Sequence, residues 1–136
     1  MGSECCSTRP TTTMLLPCSG ASNVGQLANA AAIALTREGT GRMFCLAGIG
    51  GGIQGFVQSA RDAASIVAID GCEVGCAKAC LEKAGVPVFG HLCLTDLDIK
   101  KNKNFDLPAE EVARVTEAVR RAVAAQEKAA AGPTVV

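Results

Sequence analysis

A chain of 136 residues has the length of one domain and is long enough to bury a core. Its formal charge is zero, and it holds four Phe but neither Trp nor Tyr. Both the basic patch and the stacking platforms of a nucleic-acid binder are thereby excluded. Residues 1–13 lack the hydrophobic stretch of a signal peptide, and no apolar run reaches the ~18 residues of a membrane span, so a cytoplasmic location with no membrane partner is expected.

Residues 1–12 are polar and read as a flexible N-terminal segment containing Cys5-Cys6, ahead of a single α/β domain over 13–128 and a tail over 129–136. A first strand over 14–17 ends at Cys18-Ser19-Gly20. Ser22-Asn23 offers a helix N-cap, residues 24–37 read as an Ala-rich helix, and Gly39 fits its C-terminal cap. A second strand over 42–46 carries Cys45. A glycine-rich stretch from Gly48 to Gly55 follows, leading into a helix over 53–60. The apolar run 65–69 is a third, buried strand closed by the turn dipeptide Asp70-Gly71. Cys72 comes next, and the spacing predicts a helix over 73–83. Residues 86–89 read as a fourth strand, placed at an edge because Pro87 cannot donate to a ladder. Residues 91–94 either extend it or form a fifth. After a charged connection with Lys100, Lys101 and Lys103, Pro108 fits the first position of a last helix whose apolar stripe is Val112, Val115, Val119 and Val123.

Strands alternating with helices imply βαβ units. The expected fold is a three-layer α/β/α, Rossmann-like arrangement around a mostly parallel sheet of four to five strands. In such sheets ligands bind outside the carboxyl ends of the strands. Cys18, Cys45 and Cys72 follow the first three strands at equal spacing, the length of one helical crossover. Eight cysteines would suit a secreted disulfide scaffold, but these three fall at strand ends, where sites form.

Cys72, Cys76 and Cys80 recur at every fourth position, which in a helix sets them near one face. Cys72 would stand at the helix start, where free N–H groups favour a thiolate. Four sulfurs, from Cys18, Cys45, Cys72 and Cys76, then converge. Such a set suits tetrahedral Zn2+ at about 2.3 Å; an iron–sulfur cluster is the less expected occupant. A second reading makes Cys72 the nucleophile of thiol, persulfide or sulfur-transfer chemistry, with Cys76 or Cys80 to resolve it, although a C-x-x-C spacing is missing. Cys80 reads as packing, with a spare ligand as its second reading, and Cys93 reads as strand packing. The single histidine, His91, reads as structural or as a group behind the ligands, and Asp70 as a turn residue.

The glycine stretch lacks the third glycine of a dinucleotide fingerprint, having Ile53 there, and has Phe56-Val57 where a P-loop needs Lys and Ser or Thr. It reads as close packing, or as N–H groups on which a small anion or sulfur species could rest, together with those of residues 19–22.

Several ordered motifs together resemble the DGC domain proteins, a group commonly labelled zinc-binding. They are Cys18-Ser19-Gly20-Ala21-Ser22-Asn23-Val24-Gly25, Met43-Phe44-Cys45-Leu46-Ala47-Gly48-Ile49-Gly50, and Ile69-Asp70-Gly71-Cys72 with Cys76-Ala77-Lys78. The likeness extends through Leu81-Glu82-Lys83-Ala84-Gly85 and Leu94-Thr95-Asp96-Leu97 to Ile99-Lys100-Lys101, covering roughly residues 13–103. It implies a zinc site at Cys18, Cys45, Cys72 and Cys76, and no particular reaction. Asn23 stands where an acidic residue is common, and Asp98 where glycine is.

Overall fold

The computed structural model describes residues 12–131. Cys5 and Cys6, nearly all of the expected N-terminal segment and most of the expected tail lie outside that range. Within it the strands are β1 (Thr13–Pro17), β2 (Gly41–Met43), β3 (Ile66–Asp70) and β4 (Gly90–Cys93). They alternate with helices α1 (Asn23–Glu38), α2 (Leu46–Gly50), α3 (Gln54–Asp62), α4 (Cys76–Lys83) and α5 (Ala109–Ala131), and a short 3-10 turn occupies Leu94–Leu97.

All strand pairs are parallel, in the order β2-β1-β3-β4. The chain winds outward from β1 in both directions, so the topological switch point lies between the carboxyl ends of β1 and β3. Strand alternation divides the core between the two faces. Leu15, Val67 and Ile69 pack with Leu27, Ala31 and Leu35 of α1 and Val115, Val119 and Val123 of α5. Leu16, Ile66 and Ala68 pack on the other face with Ile49 of α2, Ala60 of α3 and Ala77 and Leu81 of α4. All five residues of β3 are buried, which is why it reads as an unbroken apolar run. The three-layer expectation therefore holds, with four strands.

Several local expectations shift. The fourth strand is Gly90–Cys93, pairing Gly90 with Val67 and Cys93 with Asp70; residues 86–89 make no strand, and Val88 is 72% exposed. Pro87 is the physical reason, since it brings no N–H to a ladder. The second strand ends at Met43, which leaves Cys45 at the N-cap of α2. Part of the glycine stretch is helical: Gly48 sits where a Cβ would meet the Phe56 ring at 2.6 Å, so its role is close packing of α2 on α3. Phe44 completes this corner, its ring centroid 5.5 Å from that of Phe56. The helix expected from Glu73 begins only at Cys76, because Gly75 is left-handed at φ 69°. The last helix runs through Ala131, beyond the residue where the tail was expected to start.

Candidate thiol and metal site

Each residue of Asp70-Gly71-Cys72 has a separate physical task. Asp70 ends β3 and is 1% exposed. Its carboxylate accepts the Ala77 N–H at 2.7 Å and the Lys78 N–H at 3.1 Å, the free donors of the first turn of α4. His91, beside it on β4, places Nε2 2.8 Å from the same carboxylate. A carboxylate only accepts, so His91 donates from Nε2. Asp70 is thus a helix cap rather than a turn former, and His91 is its structural partner.

Gly71 has no room for a side chain. A Cβ there would lie 2.7 Å from the Gly25 nitrogen and the Val24 carbonyl carbon. One on Gly25 would lie 2.4 Å from the Gly20 oxygen. The loop after β1, the first turn of α1 and the end of β3 therefore touch backbone to backbone at the switch point. This contact lets the Gly71 N–H donate to the Cys18 sulfur at 3.4 Å.

Cys18 is half-buried and packs against both cores. Burial pushes its thiol up, the Gly71 and Gly20 N–H groups pull it down, and the negative charges of Asp70 and Cys76 push it further up. Cys72, also half-buried, lies on the side of α1 and α5. Lys101 Nζ donates to its sulfur at 3.4 Å. Asn23 sets that lysine in place. Its side chain donates to the Lys100 carbonyl at 2.8 Å and accepts from the Asn102 N–H at 2.6 Å, while its own N–H donates to the Asn102 carbonyl at 2.9 Å. An acidic residue at this position would lack the donor for Lys100.

Cys45 and Cys76 stand exposed at the starts of α2 and α4, and Cys80 is half-buried one turn along α4. Burial raises the Cys80 thiol, as do the charges of Cys76 and Asp70, while Lys83 lowers it. Cys93 closes β4 with its sulfur 3.2 Å from the Thr95 hydroxyl. All six cysteines of the described residues are free thiols.

Two expectations are corrected here. Cys72 is not helical, so only Cys76 and Cys80 share a helix face. The N–H groups of that helix start are satisfied by Asp70 rather than by a sulfur, and the positive partner of Cys72 is Lys101. No spacing signal could have found that lysine, which sits in a loop far along the chain.

Cys18, Cys45, Cys72 and Cys76 all emerge at the carboxyl end of the sheet. Among the described residues, however, no three His, Cys, Asp or Glu side chains stand together as a group that could hold a metal ion. The donor chemistry suits zinc; the separations as they stand do not close a coordination sphere.

The fold and this edge define a doubly wound parallel α/β protein with cysteines at its switch point. The sequence profile of the DGC domain matches residues 14–119, and the chain belongs to that family. It is 39% identical over 102 residues to the anaerobic and virulence modulator AnvM of Pseudomonas aeruginosa, covering 75% of this chain and 78% of that protein. No solved structure matches the chain. Among the described residues no helix is long and apolar enough to cross a membrane.

Proposed function

We propose that this protein is a thiol-dependent binding protein of the cytoplasm, taking Zn2+ on Cys18, Cys45, Cys72 and Cys76 in a carrier or sensing role. The observation that carries the reading is that two successive crossovers return these cysteines to one edge of a parallel sheet, with Cys18 and Cys72 at its switch point. Cys45 and Cys76 are exposed, and Cys18 and Cys72 are only partly buried against the cores, so both cores close without a metal. That argues for reversible occupancy over a structural staple. Four thiolates leave zinc no open position, which argues against hydrolysis. Cys45 and Cys76, being exposed, are the pair that would close on half-buried Cys18 and Cys72. The relative's description as a modulator accords with a sensing role. The test is elemental analysis of protein purified anaerobically without added metal, with a thiol count on the same sample. About one zinc per chain and four shielded thiols is the expected result; metal-free protein with every thiol open to alkylation would sink it.

A second reading, thiol or persulfide chemistry with Cys72 as nucleophile, is favoured by the Lys101 ammonium 3.4 Å from its sulfur. A small anionic or sulfur-bearing substrate would then rest on N–H groups of the loop 19–22. Fast, selective alkylation of Cys72 near neutral pH is its signature.

A further inference from the structure

On α4, the buried residues Ala77 and Leu81 face the sheet. Cys76 and Cys80 each precede one of them, so both lie on the same flank of the helix. That flank borders α2: a Cβ on Gly50 would come within 3.0 Å of the Cys80 sulfur. Glycine at position 50 thus makes the space that Cys80 occupies. Both α2 and α4 leave the carboxyl edge of the sheet, so Cys45 and Cys76 begin the two helices while Gly50 and Cys80 lie further down. Side chains four apart on a helix have Cβ atoms about 5–6 Å from one another, within reach of one bridging atom. Cys72 stands elsewhere, against the α1 and α5 side with Lys101.

We propose that Cys76 and Cys80 form a helical dithiol on the α2 flank of α4 that chelates a soft thiophilic centre, metal or metalloid, through two sulfurs and without Cys72. The inference rests on Cys76 belonging to the thiol edge, not on zinc being the occupant. Two soft sulfurs with no third ligand gathered beside them among the described residues match such centres better than they match zinc. Binding of a trivalent arsenical needs no oxidant. Two S–H bonds and the arsenic–oxygen bond break, two arsenic–sulfur bonds form, and the protons leave with the oxygen as water.

The experiment uses the reduced, chelator-treated full-length chain with Cys5→Ser and Cys6→Ser, which removes the adjacent pair as competitors. Phenylarsine oxide is titrated in, with intact mass giving stoichiometry, and Cu(I) is titrated separately against a chromogenic chelator. One adduct per chain is expected with either probe. Cys76→Ser, Cys80→Ser and Cys80→Ala should each weaken binding by about tenfold or more, the advantage of a chelate over one thiol. Cys45→Ser and Cys72→Ser should leave it unchanged. Undiminished binding in both Cys80 variants, each shown folded by circular dichroism, would overturn the proposal, as would loss in Cys72→Ser. Zinc content of Cys80→Ser separates the two readings. Retained zinc with lost arsenical binding supports the dithiol beside the four-cysteine site, whereas a chain that never carries zinc but loses the arsenical at Cys80 supports the dithiol alone.

Discussion

At Gly71 a single methyl group would collide with main-chain atoms of Val24 and Gly25, which cannot rotate away as a side chain could. Gly71→Ala should therefore cost about 1–3 kcal/mol by overpacking, read as a lower denaturant midpoint. It should also lengthen the Gly71 to Cys18 contact that depends on this approach. Lys101 is the other decisive residue. If its ammonium stabilises negative charge on the Cys72 sulfur, Lys101→Met slows alkylation of Cys72 by iodoacetamide at neutral pH while leaving the other thiols alone. An unchanged rate would remove Lys101 from any role in sulfur chemistry. Asp98, which departs from the family's usual glycine, has φ 61°. Glycine takes that conformation without strain and Asp tolerates it, so the departure is small for a reason the backbone makes plain.

Among the elements, α4 is held at its start by one carboxylate. Asp70→Ala would leave the Ala77 and Lys78 N–H groups and the His91 Nε2–H without their acceptor. A loss of about 1–3 kcal/mol is expected, chiefly from the buried Ala77 N–H stripped of its partner, seen in chemical denaturation and in faster amide exchange across α4. The pairing of α1 with α5 has a surface tie of a different kind. Arg120 donates to Glu38 at 2.9 and 3.1 Å, and with Thr40 it holds the Glu38 carboxyl down at about 2, from an ordinary 4.5. A carboxyl lowered by folding stabilises the native state above its unfolded value and loses that effect as acid protonates it. Stability should thus decline as pH falls from 4.5 toward about 2, and Glu38→Gln should flatten that part of the profile. The effect is small, because both groups face solvent and salt screens them. An identical acid limb in the variant would refute the assignment.

For the molecule as a whole, the two cores close on either side of the sheet with none of the four expected zinc ligands among their buried residues. Chelation should leave the far-ultraviolet circular dichroism and the cooperative unfolding transition intact, with at most a modest fall in midpoint. Collapse on chelation would instead make the metal a folding partner, as in small zinc modules. Much of this architecture was legible beforehand. The run 65–69 is β-branched and apolar and proved to be the central, wholly buried strand, and the valine stripe of residues 112–123 does cover the sheet. Less was legible where backbone pairing decides: residues 86–89 look like a strand but contain Pro87, which brings no N–H to a ladder, whereas the plainer Gly90–Cys93 segment meets β3 in register. The helix start moved from Glu73 to Cys76 because the left-handed Gly75 and the Asp70 carboxylate together set where it begins.

By itself the sequence determined the alternation of strands and helices and the return of each crossover to one sheet edge, because periodicity and turn chemistry act over a few residues. It thereby determined that cysteines would collect at that edge. Only the tertiary structure decided which groups face one another there: Asp70 under the start of α4 with His91 behind it, Lys101 against Cys72, and Cys80 beside Gly50. Those partners are far apart along the chain, or on elements whose relative rotation is set by packing. Contact between them is a property of the closed core, not of any local run of residues.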